Sequence, residues 1–258
     1  MKSLRVPAAV VPWLVPLVLL IAWQVSAQAG WLSSRVLPAP LDIGRAFVTL
    51  SDSGELWRHL ATSLGRALAG FVVGGCIGLI LGFATGTSRI AENLFDTSMQ
   101  MVRNVPHLAL TPLVILWFGI GEEAKLFLIA LGVMFPIYLN TFHGIRSVDR
   151  QLIEMGRAYG LGHWALLREV ILPGALPSIL VGVRFALGVM WLTLIVAETI
   201  AANSGLGYMA MNAREFLQTD VVVLAILLYA LLGKLADVLA KTLERRWLGW
   251  HPNFQLAH

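Results

Sequence analysis

The sequence predicts an all-α, polytopic membrane protein with six transmembrane helices, and three observations predict it. First, 57% of the 258 residues are hydrophobic and only 13% charged, far from the shares of soluble domains. With 19 basic and 15 acidic residues, many of them clustered, the chain cannot cover a soluble core with a charged skin. Second, six apolar segments are long enough to cross a hydrocarbon layer that takes about 20 helical residues. Third, runs such as FVVGGCIGLILGF and LTPLVILWFGI are apolar on every side, which excludes the alternation of a membrane β-barrel.

The first segment, 8–27, follows Lys2 and Arg5 and precedes Ala27-Gln28-Ala29, an arrangement that imitates a secretory signal with its cleavage site. The apolar run from Val6 to Ala27 exceeds the usual signal core of about 7 to 15 residues, so a retained anchor is expected. The connection from Ala29 to Ala61 holds Pro38, Pro40 and a helical stretch around Trp57. The second span, 63–86, carries Gly70, Gly74, Gly78, Gly82 and Gly86. Glycine at every fourth position lies nearly along one helix face, and such a face allows close backbone approach, either within one subunit or between two.

Spans three and four, 99–119 and 125–143, are interrupted by Pro106, Pro112 and Pro136, each of which removes a donor and kinks a helix. About 30 polar residues then separate them from the fifth span, 175–199. Within that interval Leu152, Met155 and Tyr159 recur at helical spacing while Arg150, Glu154, Arg157 and Arg168 take other faces, which predicts a short amphipathic helix. Gly160 and Gly162 end it, a second short helix runs from His163 to Ile171, and Pro173 is expected to stop the chain before the next span. Between spans five and six, Leu206, Met209, Ala213 and Phe216 predict an amphipathic helix across the outer mouth. The sixth span is 220–240.

With a cytoplasmic N-terminus the inner loops hold ten Lys or Arg (Lys2, Arg5, Arg89, Arg146, Arg150, Arg157, Arg168, Lys241, Arg245 and Arg246) and the outer loops five (Arg35, Arg45, Arg58, Lys125 and Arg214). The positive-inside rule therefore places both termini and the 144–174 interval in the cytoplasm. The organisation read from this is an anchor and periplasmic loop over 1–61, a five-span core over 62–244 with a cytoplasmic helix near 151–164, and a cytoplasmic tail over 245–258.

Charges inside spans are costly and should face protein or water. Arg184, Gly188, Trp191, Ile195 and Glu198 share one face of the fifth span, and Arg184 and Glu198 are too far apart along the axis, about 21 Å, to pair with each other. Arg184 reads either as an attractive charge for an anion in transit or as the partner of a carboxylate. Arg103, Asn104, Pro106 and His107 near the inner end of the third span are further candidates for a pathway, with His107 equally at home as a hydrogen-bonded interior residue. Lys234 and Asp237 are placed to pair locally on the last span.

Several functions are excluded. The basic residues are dispersed, with no stripe interleaved with aromatics, so no nucleic-acid partner is expected. A single cysteine, Cys76, allows no intrachain disulfide and no thiolate metal site. No set of convergent catalytic groups or metal ligands occurs. No glycine-rich phosphate loop followed by Lys and Ser or Thr is present, so no cofactor is expected on this chain and any ATP must be handled elsewhere. No internal repeat of the kind that builds secondary transporters is visible.

Glu154, Gly156, Gly160 six residues after the Glu, Val170 after nine more, and Leu172-Pro173 resemble the EAA motif of bacterial ABC importer permeases. Met155 and Gly156 stand where that motif has two alanines, and Val170 where it has isoleucine. The strings RNVPHLALTPLVILWFGIGEEAK, LPGALPSILVGVRFALGVMWLTLIVAETIAANSGLGYMAMNAREFLQTDVVV and ALLGKLADVLAKTLERRWL extend the likeness over nearly the whole chain, towards permeases of aliphatic sulfonate importers. Taurine importer permeases share fewer of these strings. The resemblance implies a type I, MetI-like permease fold, a homodimer, two cytoplasmic ATPase subunits carrying ATP and magnesium, and a periplasmic substrate-binding protein. It also implies a coupling helix seated on the ATPase through Leu152, Glu154, Met155, Gly156, Tyr159 and Gly160, with Leu172 and Pro173 closing the motif. Aliphatic sulfonates are the implied cargo, with taurine or nitrate as other small anions that suit the same role.

Overall fold

A computed structural model describes residues 11–33 and 36–250, and every regular element among them is helical. The helices are α1 (Val11–Gln28), α2 (Pro40–Asp52), α3 (Glu55–Thr87), α4 (Arg89–Arg103), α5 (Thr111–Phe118), α6 (Glu122–Arg146), α7 (Arg150–Ala158), α8 (His163–Leu166), α9 (Leu172–Ala201), α10 (Leu206–Glu215) and α11 (Thr219–Trp247). A 3-10 turn (His107–Leu110) precedes α5, and a π turn (Leu167–Ile171) joins α8 to α9.

Parallel α3 and α6, with α9 antiparallel to both, form the centre, and α10 and α11 pack beside α9. The glycine series of α3 explains this centre. A Cβ on Gly70 would come within 2.7 Å of the Ile129 side chain, on Gly74 within 2.7 Å of the Ala130 backbone, and on Gly82 within 2.7 Å of Thr141. Gly86 likewise abuts Ile145. All of these neighbours lie on α6, so the small-residue face serves packing inside one chain. The α6–α9 seam uses the same device, with Gly144 against Ala175 and Ser178, and Gly182 against Asn140 and Pro136. Bilayer lipid supplies no hydrophobic drive between helices, and close backbone contact takes its place.

Four helices are long and apolar enough to cross a membrane: Glu55–Thr87, Glu122–Arg146, the continuous His163–Ile200 rod, and Thr219–Trp247. The expected third span is not a straight helix. Arg89–Arg103 and His107–Phe118 meet at 81° and make a fifth crossing only as one bent unit. The cause is local. Pro106 adopts extended backbone and Pro112 opens α5, while Arg89, Glu92, Asn93, Asp96 and Gln100 make α4 too polar to share one apolar rod. Pro136, by contrast, lies within an unbroken α6. The expected first span is the apolar α1, 18 residues long where it is described, and its first residues, 8–10, fall outside the described part.

The second span begins earlier than its hydropathy implies. Helix α3 starts at Glu55 and so absorbs the stretch around Trp57, crossing the 61/62 boundary drawn from composition. At 33 residues it is about 50 Å long, so it projects well beyond a hydrocarbon layer of about 30 Å. The predicted helix between the last two spans is α10, with Leu206, Met209 and Ala213 buried and Phe216 exposed.

Candidate functional site

Helix α7 lies at one end of the bundle, between the ends of α6 and α9. Its first turn is capped by Asp149, whose carboxylate accepts from the Gln151 N–H at 2.8 Å. Its last turn is closed by two hydrogen bonds, Gly160 N–H to the Arg157 carbonyl at 3.0 Å and Leu161 N–H to the Gly156 carbonyl at 3.0 Å. This is a Schellman closure, in which the residue after the cap must be left-handed. Gly160 fills that place with φ +80°, a conformation that costs any residue with a Cβ.

Gly156 is the one buried residue of α7. It faces the turn that follows, and a Cβ there would meet Leu166 at 2.8 Å and Leu161 at 3.2 Å. The small residue in the middle of the motif thus holds α7 against α8 and the π turn. Ile153 packs on the Ile145 and Val148 cluster, while Leu152, Met155 and the C-cap Tyr159 point outward and are exposed, Tyr159 to 83%. Beside them runs a groove of about 480 Å³, whose walls include Leu152, Met155, Tyr159, Val170, Pro173 and Trp250. Glu154 is exposed and has no hydrogen bond or ion pair with the described residues. The expected stop at Pro173 does not occur. Leu172 and Pro173 open α9, where a missing N–H is harmless, and the rod continues from α8 through the π turn.

At the opposite end of the bundle lies a centre that sequence reasoning saw only through Glu198. Its carboxylate is wholly buried and accepts from four donors: Arg66 Nη1 at 2.7 Å, Ser63 Oγ at 2.8 Å, Tyr229 OH at 2.9 Å and Gly207 N–H at 3.0 Å. Arg66 in turn holds Glu122 through Nε and Nη2, both at 2.6 Å, and gives its remaining protons to Ser204, at the carbonyl (2.5 Å) and the hydroxyl (3.1 Å). All five guanidinium N–H groups are thereby used. Ser63 accepts the Leu206 N–H at 2.8 Å, and His59 Nδ1 accepts the Gly205 N–H at 3.0 Å, which makes Nε2 the protonated nitrogen of a neutral imidazole. Gly205 and Gly207 press so closely on Glu198 that a Cβ on either would overlap it. The result ties the start of α10 to α3, α6, α9 and α11.

The remaining candidates separate. His107 Nε2 lies 3.1 Å from Thr193 Oγ1 and packs beside Gly132, an interior seat. Arg103, Asn104 and Pro106 are exposed at the bend after α4. Trp191 is in the core with no partner for its indole N–H among the described residues. Arg184 donates from Nε to Asp237 at 2.9 Å, across to α11. Asp237 is closer to Lys241, at 2.8 Å, than to the expected Lys234, at 3.9 Å. Only one signal in the sequence could have led to the Glu198 centre: a carboxylate inside a span demands donors. Their identity depended on which helices became neighbours.

Residues 74–249 match the sequence family described as "Binding-protein-dependent transport system inner membrane component". The chain is 67% identical, over 96% of its length and 94% of the other's, to an Escherichia coli K12 protein that bears the name aliphatic sulfonates transport permease protein SsuC. It is 38% identical, over 92% of its length and 88% of the other's, to the taurine transport system permease protein TauC of the same organism. Among solved structures, an amino acid ABC transporter matches with a TM-score of 0.63 at 18% identity, covering 78% of this chain and 97% of that one.

Proposed function

The chain belongs to the family of binding-protein-dependent transport system inner membrane components, and we propose that within it the cargo is an aliphatic sulfonate and that α7 is the helix through which an ATPase drives transport. The fold is that of type I ABC importer permeases, and the chain is a transport permease of the inner membrane. The cargo rests on the 67% identity to a relative named for aliphatic sulfonates, against 38% to one named for taurine.

The observation that carries the coupling role is the exposed ridge of Leu152, Met155 and Tyr159 on a helix capped at both ends. An apolar ridge displayed on a rigid helix, with Glu154 and Arg157 at its rim, is suited to a hydrophobic groove on a partner, the rim charges setting the register. The ridge lies at the α7 end, which the distribution of Lys and Arg assigns to the cytoplasm together with both termini. In this reading two copies of the chain form the pathway, two ATPase subunits bind the two α7 helices, and a periplasmic binding protein delivers the sulfonate at the α10 end. ATP is hydrolysed on the ATPase subunits.

The test is Glu154→Lys in the complete importer reconstituted with its ATPase and binding protein. Glu154 is exposed and makes no hydrogen bond or ion pair with the described residues, so the variant is expected to remain folded in the membrane while hydrolysis no longer responds to sulfonate-loaded binding protein. A variant that keeps normal substrate-stimulated hydrolysis removes α7 from the coupling path.

A further inference from the structure

Arg66 on α3 and Arg184 on α9 both lie inside long apolar helices, and their surroundings differ in kind. Arg66 is 5% exposed and spends all five of its donors inside the protein. Arg184 is 42% exposed and spends one. Its Nη nitrogens make no hydrogen bond with the described residues, and Glu244 Oε2 stands 3.9 Å from Nη1. Arginine stays charged at any relevant pH, so these donors must find water or an anion.

Their surroundings point to the anion. Arg184 and Asp237 stand at one end of a groove of about 510 Å³ between α9 and α11, a size typical of small-molecule sites. The rest of the lining is apolar, with Val181, Phe185, Leu187 and Leu192 on α9, and the walls are lowered at Gly188 and Gly233, around whose Cβ positions nothing lies within 4 Å. Asp237 does not neutralise the site, because its oxygens also face Lys241 and Lys234. Three cations (Arg184, Lys234, Lys241) against two carboxylates (Asp237, Glu244) leave one net positive charge.

We propose that this groove is a transit subsite for the sulfonate, with the anionic head on the Arg184 Nη groups and the alkyl tail along the apolar walls past Gly188 and Gly233. The inference rests on the reading of the chain as a sulfonate importer. A cationic end and an apolar trough complement one class of solute, a small amphiphilic anion. An anionic lipid headgroup offers the same chemistry, and dependence on the solute's alkyl length separates the two, since a groove that seats a lipid would leave both sulfonates equally affected. Monodentate pairing to Asp237 keeps the guanidinium oriented without consuming it, so the head is held without being trapped.

The test uses proteoliposomes containing the complete importer and measures ATP-driven uptake of ethanesulfonate and hexanesulfonate. Gly188→Leu and Gly233→Leu fill the trough where it is open, so the fold tolerates them. Each is expected to lower hexanesulfonate uptake about tenfold or more, the scale of a few misfitted methylenes, with ethanesulfonate much less affected. Arg184→Gln is expected to slow both sulfonates about tenfold or more, the loss of a charged hydrogen-bond partner, and Arg184→Lys to recover part of it, with hydrolysis still stimulated by loaded binding protein. Unchanged uptake of both solutes in the leucine variants, or equal loss of both, overturns the subsite; equal loss is the outcome of a groove that merely seats a second copy of the chain. Wild-type importer that hydrolyses ATP and moves neither sulfonate overturns the importer reading, and the subsite with it.

Discussion

Glu198→Gln separates a structural carboxylate from one exposed to a pathway. The carboxylate oxygens face different donors: Oε1 takes Arg66 Nη1 and Oε2 takes the Gly207 N–H, at 2.7 and 3.0 Å. Neither donor can accept. Whichever way a glutamine flips, its NH₂ opposes an N–H, and Arg66 loses its only fully buried counter-charge. Breaking a buried ion pair from one side costs about 3–5 kcal/mol. At roughly 2–4 °C per kcal/mol for a chain of this size, the expected fall in Tm is on the order of 10 °C. Thermal unfolding of the chain in nanodiscs, followed through its nine tryptophans, reads this directly. Glu122→Gln is the control. Glu122 is 57% exposed, and solvent screens its pairing with Arg66, so its Tm should fall by much less. Arg66→Met combined with Glu198→Met should recover only part of the loss, since no charge is left unpaired but Ser63, Tyr229 and the Gly207 N–H lose their buried acceptor. A Tm for Glu198→Gln near that of the wild type, or no lower than for Glu122→Gln, refutes the reasoning.

Two further outcomes follow from individual glycines. Gly74→Ala sets a methyl against the Ala130 backbone and should cost about 1–3 kcal/mol by overpacking, whereas Gly65→Ala, with nothing within 4 Å, should be neutral or gain up to about 1 kcal/mol of helix propensity; paired Tm measurements decide. Gly160→Ala forces a Cβ into φ +80° at about 1–2 kcal/mol, which should fray the end of α7, speed hydrogen exchange at Tyr159 to Leu161, and reduce stimulated ATP hydrolysis while the membrane core keeps its protection.

What the sequence revealed follows the range of the interaction responsible. Helix α7 was legible because its determinants are local: an apolar residue every third or fourth position, an N-cap Asp149 and a left-handed Gly160 within a dozen residues. The glycine face of α3 was legible as a packing face, but its partner was not, because the alternation of small residues says nothing about which helix approaches. The bend after α4 was misread as one span. Pro106 marks a kink inside 99–119, but hydropathy summed over that window hid how polar the preceding turns are and how sharp the bend is, 81°. The pairing of Arg66 with Glu198 was invisible for the opposite reason. It joins residues 132 positions apart, through a geometry that exists only once α3, α6, α9 and α10 have met. Arg184 fell between these cases: its need to face protein, water or an anion was evident, but the choice of Asp237 on α11 was not.

The two charged centres and the coupling segment share one element. The rod that begins at His163 passes through the π turn, presents Arg184 to the groove and ends near Glu198 in the buried lock. Its contacts differ along its length. Near the α7 end it is keyed to α6 through Gly144 and Gly182, where backbone and side chain leave no slack. At the far end it is tied by charge-assisted hydrogen bonds that also hold α10. The stretch between, around Gly188, faces open space on one side. A π turn is the least regular part of a helix and the place where one end can rotate against the other. On the coupling role proposed for α7, a push there enters the rod beside the π turn, and the stretch of α9 that faces the groove, where Arg184 meets α11, is the part with room to move.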